Sequence, residues 1–261
     1  SANHRRLALE VAEQMSARHL GDAEAQLNHL RILMPLEEYT AAEDLVYRLE
    51  QQMIEQPISP RAVVDLINLT TSLAKELADV SPDSVWERAE TLLRRGLEQW
   101  PTETLLYMGL GRTLRRLRKI DEAIQIFDHG REITGESNSI DVHRQFHLQM
   151  ACTFEYLDLR LSTIESLETE QRQTIIDETK QELDKIVPLA GETWHAHKIL
   201  GKIAMAQGQW EVARAEFDSA STKLSDTDVL SIVMGGGYVT GAHTVDTKLT
   251  EGEVDAMVAN N

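Results

Sequence analysis

The sequence predicts an all-α protein whose helices form an elongated array of repeated pairs. The 261 residues exceed the usual size of one domain, and a repeat array reaches this length without enlarging a single core. Only 5% of the residues are aromatic and there are 6 Pro and 14 Gly, while the good helix formers Leu, Ala, Glu, Gln and Arg fill long stretches. Small and apolar residues also recur at one fixed spacing.

That spacing is 34 residues. Self-similarity at a fixed period of about 20 to 50 residues is typical of solenoids, in which each repeat is one supersecondary unit stacked on its neighbours. The residue pairs separated by this period are Ala89 and Ala123, Leu93 and Phe127, Thr179 and Ala213, and Leu183 and Phe217.

Two copies of a longer motif surround these positions. The first consists of Tyr107, Leu110, Gly111, Leu114, Ala123 and Phe127, and the second of His197, Leu200, Gly201, Ala204, Ala213 and Phe217. The motif resembles the tetratricopeptide repeat, most clearly over about residues 84–137 and 194–227. The resemblance implies a right-handed superhelical solenoid of antiparallel helix pairs, with extended peptides bound along the inner groove. The small residues are expected to let paired helices approach, with each Phe filling the gap beside them.

A middle repeat is longer than the period. Gly111 to Ala151 is 40 residues, and Ala151 to Thr179 is 28 where Gly111 to Ala123 is 12. These numbers place six extra residues before the helix pair and sixteen inside it, around Leu159 to Glu170. We expect each helix of this pair to be longer by about two turns. The insertion is either a second contact surface or a tolerated loop insertion.

The sequence divides into three regions. Residues 1–60 are predicted to be degenerate or capping helices, and 61–227 to be repeats with boundaries at 61–103, 104–137, 138–193 and 194–227. Residues 228–261 are interpreted as a degenerate repeat, a capping segment or a tail. Ser231, Met234, Gly235 and Tyr238 fit a further repeat, whereas Val229 to Tyr238 also fits a strand before a glycine-rich turn.

Composition excludes several partner classes. The formal net charge of −17 argues against general nucleic-acid binding and against anionic membranes. No apolar run is long enough for a membrane span, and the first residues lack a signal-peptide core. Cys152 is the one cysteine, which suits a reducing compartment. We therefore expect a cytoplasmic protein.

Candidate partner-binding residues follow from helix geometry, because residues one position beyond the motif lie beside the seam between paired helices. In the first repeat these are Met108, Arg112, Arg115 and Arg116. In the middle repeat they are Leu148, Cys152, Glu155 and Tyr156, and in the last repeat His195, Lys198, Lys202 and Met205.

The segment from Arg112 to Lys119 carries five positive residues and no acid, inside an acidic chain. It predicts a site for an acidic partner segment, which Lys198 and Lys202 extend. Some members of the resembled family hold a terminal carboxylate with Lys and Asn at such positions, although no Asn is present here. The alternative is a solvated helix end whose cations favour the helix dipole.

Metal binding and catalysis are not supported by the motifs. His143 and His147 are one turn apart, and His195 and His197 flank Ala196, but neither pair belongs to an HExxH arrangement. The sequence contains no nucleophile elbow and no phosphate-binding GK[ST] loop. Cys152 fits a small packing residue better than a nucleophile. We predict no metal, no cofactor and no enzymatic activity.

The function predicted from these observations is a protein–protein interaction scaffold or adaptor, which binds an extended, acidic partner segment in its groove. One alternative is the repeat portion of a larger enzyme, such as a transferase. Another is a regulator that changes curvature when a peptide binds.

Overall fold

The computed structural model describes residues 2–18, 21–77, 81–133, 142–190 and 193–233. Within those residues every regular element is helical, so the predicted all-α class of antiparallel, tetratricopeptide-like helix pairs is confirmed. The chain divides into two compact units, an N-terminal unit of Ser1–Thr153 and a C-terminal unit of Phe154–Asn261.

The N-terminal unit contains seven described helices and the first part of an eighth. They are α1 (Ala2–Arg18), α2 (Ala23–Leu33), α3 (Tyr39–Glu55), α4 (Pro60–Glu76), α5 (Pro82–Gln99), α6 (Thr104–Arg116), α7 (Ile120–Arg131) and α8 (Val142–Ser162). The C-terminal unit contains the rest of α8, then α9 (Thr169–Ala190), α10 (Trp194–Ala206) and α11 (Trp210–Val233).

Side-chain caps determine where several helices begin. The carboxylate of Asp22 accepts from the backbone N–H groups of Glu24 and Ala25 at the start of α2. The hydroxyl of Ser59 caps α4 and that of Thr193 caps α10. Each cap satisfies backbone donors that have no partner inside the helix.

The motif glycines allow the two helices of each pair to approach closely. A Cβ on Gly111 of α6 would lie 2.6 Å from Cε1 of Phe127 on α7, and a Cβ on Gly201 of α10 would lie 2.7 Å from Cε1 of Phe217 on α11. Phe127 is fully buried. Both repeats therefore have the same kind of seam between their two helices, in which a phenylalanine ring packs against the backbone of a glycine.

The insertion residues belong to a long helix pair. Helices α8 and α9 have 21 and 22 residues, whereas α6 and α7 have 13 and 12. A short 3-10 turn at Ile164–Ser166 joins the long pair. Helix α11 continues to Val233, so the strand considered for Val229 to Tyr238 is wrong over residues 229–233. Met234, Gly235 and Tyr238 lie outside the described residues.

The turns inside both clear repeats have the same geometry. Arg118 follows α6 with φ 59°, and Gly208 follows α10 with φ 72°. The N–H of Lys119 donates to the carbonyl of Leu114, as the N–H of Gln209 does to Ala204, both at 2.9 Å. This is a Schellman C-cap, which favours glycine because side chains strain the left-handed region.

These turns give a matched pair of substitutions. Arg118→Gly is expected to raise the free energy of unfolding by roughly 0.5 to 1 kcal/mol, because it relieves left-handed strain at the cost of unfolded-state entropy. Gly208→Ala is expected to lower it by about 1 to 2 kcal/mol for the opposite reason. Urea unfolding followed by circular dichroism measures both, and effects of the same sign would contradict the shared geometry.

The seam makes a second prediction. Gly111→Ala should destabilise the N-terminal unit by about 1 to 3 kcal/mol, since the new methyl group overpacks against the buried ring of Phe127. Gly21→Ala is the control, because a Cβ there has no atom within 4 Å. Its effect should stay within about 0.5 kcal/mol. Equal urea midpoints for the two variants would show that the seam tolerates a methyl group.

Candidate functional site

The candidate basic surface of the N-terminal unit lies on α6, where Arg112, Arg115 and Arg116 occupy the second half of the helix. Arg112 and Arg115 are half-buried and Arg116 is exposed. Cζ of Arg116 lies 6.0 Å from the centroid of the Trp86 ring on α5, within cation–π range. Partial burial of the guanidinium, and then the charge of Arg115, lower the pKa of Arg116. The charges of Arg115 and Arg116 are thus close enough to repel each other.

At the other end of the basic segment, the ammonium of Lys119 is paired with an acid of α5. Nζ of Lys119 donates to Oε2 of Glu90 at 2.8 Å. Arg94 contacts the same carboxylate at 2.9 Å and Glu122 of α7 at 2.6 Å. Burial alone would raise the pKa of Glu90, but hydrogen bonds and attraction from Lys119 and Arg94 lower it. The turn that follows α6 is thus ion-paired to α5 through Lys119 and Glu90.

Three candidate partner-binding residues are buried. Met108 is 4%, Cys152 0% and Glu155 5% exposed. Cys152 packs where α8 meets α7, since a Cβ on Gly130 would lie 2.9 Å from its Sγ. The position of a residue relative to the seam predicts the helix face on which it lies, but not how deeply that face is buried. These three side chains therefore belong to the packed interior and not to the accessible surface.

Three further candidates, Leu148, Tyr156 and Met205, are half-buried. The Tyr156 ring lies 5.5 Å from Cζ of Arg160, which also contacts Glu178 of α9 at 2.7 Å. Tyr156 is thus part of a polar contact within the C-terminal unit, between α8 and α9.

Lys198 and Lys202 of α10 both contact one carboxylate, that of Asp158 on α8. Nζ of Lys198 lies 3.0 Å from Oδ2 of Asp158, and Nζ of Lys202 lies 2.5 Å from Oδ1. The Asp158 side chain is 9% exposed, against 20% for Lys198 and 29% for Lys202. One interior carboxylate therefore bridges two ammonium groups that reach the surface.

The electrostatics of this cluster favour an ionised Asp158. Burial alone would raise the pKa of the carboxyl, but the nearby charges of Lys198 and Lys202 and their hydrogen bonds lower it to about 2. A group with this pKa is a carboxylate at neutral pH. Its negative charge offsets one of the two lysine charges.

His195, the remaining candidate, lies in an aromatic stack one turn before Lys198. Its ring centroid is 3.5 Å from that of Trp194 and 5.3 Å from that of Phe154 on α8. Phe154 is 3% and Trp194 8% exposed, and His195 is half-buried. The stack and the Asp158 cluster are adjacent layers of one contact between α8 and α10.

Helices α5 to α7 carry a known repeat. Residues 86–133 match the family model of the tetratricopeptide repeat. This segment is identified as a tetratricopeptide repeat. The match includes Gly111, Ala123 and Phe127, the residues of the first seam, and thus confirms the resemblance seen in the sequence. No curated protein matches the sequence.

Two solved structures are similar to this chain. One is a Podosopora anserina protein designated kinesin light chain, with nearly identical TPR-like repeats; it has 13% identity and a TM-score of 0.49, over 80% of this chain and 98% of that one. The other is BtubC (BKLC) of P. vanneervenii, with 12% identity and a TM-score of 0.49, over 95% of this chain and 96% of that one.

Two of the histidines considered as metal ligands, His195 and His197, contact other side chains of the same chain. Nδ1 of His197 lies 2.8 Å from Oε2 of Glu216, and His195 belongs to the aromatic stack. His147 is exposed, and the side chain of His143 lies outside the described part of the chain. Among the described side chains, no group of three or more His, Cys, Asp or Glu could hold a metal ion.

No helix in the described ranges has the length and apolar content needed to cross a bilayer.

Asp158 is the residue that sequence reasoning missed. It lies between Leu157 and Leu159, which are 0% and 4% exposed, and it is itself 6% exposed. An acid flanked by apolar residues in a helix is an available clue to a buried charge, which requires a cation nearby. Its partners are 40 and 44 residues away in the sequence.

The low pKa of Asp158 predicts acid sensitivity. Because that pKa is lower in the folded state, about 2 instead of 3.8, the group contributes roughly 2 kcal/mol of stability above about pH 4, which is lost as the pH falls toward 2. We expect the stability difference between the wild type and Asp158→Asn to shrink over that range. Urea unfolding at several pH values measures it, with Asp177→Asn, an exposed position on α9, as the control for loss of a charge. A pH-independent difference would contradict the assignment.

Proposed function

We propose that this chain is a non-catalytic protein-interaction scaffold, whose N-terminal unit binds an extended acidic segment of a partner through Arg112, Arg115 and Arg116. The tetratricopeptide repeat supports the scaffold role, because it is a helix-pair module that presents long surfaces to other proteins. The repeat boundaries given above belong to this proposal. So does a cytoplasmic location, which suits a chain with one cysteine.

The observation that carries the acidic preference is the cationic end of α6. Three arginines lie within five positions of one helix, in a chain with a formal net charge of −17. Partial burial, and then the charge of Arg115, lower the pKa of Arg116. Guanidinium groups suit carboxylates, because their planar donors can form paired hydrogen bonds.

The small binding energy of each ion pair determines how many carboxylates the partner segment needs. An exposed ion pair contributes only about 0.2 to 1 kcal/mol. A single carboxylate would therefore bind weakly, whereas a segment with several carboxylates in register would add their contributions. The proposed ligand is accordingly a run of Asp and Glu residues in an extended conformation.

A charge reversal tests this proposal. The double variant Arg112→Glu with Arg116→Glu is expected to weaken binding of a labelled hexaglutamate peptide at least about tenfold, measured by fluorescence anisotropy at low salt. Hexaglutamine is the neutral peptide control. Binding of hexaglutamate by the wild type should also weaken as salt is added.

The matched control variant is Arg6→Glu with Arg18→Glu. It makes the same change in net charge at two exposed residues of α1. Retained affinity in this control and loss in the α6 variant support the site. Equal losses would indicate a general charge effect, and unchanged binding in the α6 variant would remove these arginines from the proposal.

A further inference from the structure

The Asp158 cluster places an internal carboxylate where the sequence predicted one from a partner. Each oxygen of Asp158 contacts one lysine of α10, Oδ2 to Lys198 and Oδ1 to Lys202. Lys202 also lies 3.5 Å from the backbone carbonyl of Asp158. The chain therefore already supplies these two ammonium groups with the type of ligand that an acidic segment would offer.

The two lysines of the cluster are more exposed than its carboxylate. Lys198 and Lys202 are four positions apart on α10, so their ammonium groups lie on the same helix face. Their side chains are 20% and 29% exposed, while the carboxylate of Asp158 is 9% exposed. A carboxylate from outside would meet the lysines first, and long flexible lysine side chains can turn outward without moving the helix backbone.

We infer that Asp158 is an internal competitor, which occupies Lys198 and Lys202 and keeps them closed to an acidic segment until enough external carboxylates displace it. This inference rests on the proposed function for its ligand class, and it adds a second, self-occupied site in the C-terminal unit. Asp158 acts by positioning and masking the lysines, and it does not itself contact the partner.

Competition from within the chain selects the ligand. A tethered carboxylate has a high effective concentration at the lysines, so a single free carboxylate competes poorly. Several carboxylates on one segment lose translational freedom only once when the segment binds, so together they compete better with Asp158. The masked site thus discriminates a polyacidic segment from an isolated acidic side chain.

A purely structural ion pair would behave differently. In that case removal of Asp158 would only weaken the contact between α8 and α10, and affinity for acidic ligands would stay the same or fall. A rise in affinity that needs both lysines is specific to masking.

The test measures hexaglutamate binding to the full chain by fluorescence anisotropy. Asp158→Asn keeps the shape of the side chain and is expected to raise the affinity about tenfold. Adding Lys198→Gln and Lys202→Gln to that variant should abolish the gain. Circular dichroism and urea unfolding confirm that each variant is folded.

A second variant keeps the inference testable if Asp158→Asn does not fold. Asp158→Leu fills the site with an apolar side chain, and well-packed apolar replacements of buried ions are often tolerated. It should raise the affinity as Asp158→Asn does. If every folded variant without the carboxylate binds hexaglutamate no better than the wild type, or if the gain persists without the lysines, the inference is overturned.

The two proposals fail separately. If the wild type binds hexaglutamate through the α6 arginines and loss of Asp158 changes nothing, the proposed function stands and masking is wrong. If the α6 charge reversal has no effect while loss of Asp158 raises affinity through the lysines, masking stands and the α6 site is wrong.

Discussion

The close approach of paired helices at a glycine is the constraint on which the described repeats depend. At Gly111 and Gly201 a phenylalanine ring occupies the space that any side chain would need, with atoms 2.6 and 2.7 Å from the absent Cβ. This fixes the distance between the two helices of a pair and the rotation of each. The same principle recurs at Gly130, where the neighbours are Tyr107 and Cys152. Small residues thus define the spacing, and larger ones fill what it leaves.

The rotation set by each seam decides which neighbours the charged side chains of that repeat meet. With Gly111 against Phe127, Arg116 of α6 lies over the Trp86 ring of α5. With Gly201 against Phe217, the lysines of α10 meet Asp158 of α8. The basic residues of the two repeats meet different acids, since Lys119 contacts Glu90 of α5, whereas Lys198 and Lys202 contact Asp158 of α8. One repeat geometry therefore supports two different electrostatic outcomes.

The fold was largely predictable from the sequence, and the candidate site only in part. The repeat period and the positions of the small residues follow from how closely the helix backbones pack. The 34-residue spacings therefore identify the helix pairs, and Phe127 and Phe217 lie beside the motif glycines as expected. The depth of a side chain is harder to predict, because burial depends on elements that pack from outside the pair, as Cys152 of α8 packs beside Gly130 of α7. Asp158 was missed because its partners lie 40 and 44 positions away, beyond any local pattern.

The most direct test of the seam is a double-mutant cycle between Gly111→Ala and Phe127→Leu, measured by urea unfolding. If the ring and the missing Cβ compete for one space, the smaller side chain relieves the overpacking. The double variant should then be more stable than the sum of the single effects by about 1 kcal/mol or more. Additive effects, within about 0.5 kcal/mol, would contradict the account, because they would mean that the two residues do not share the contact that sets the helix pair.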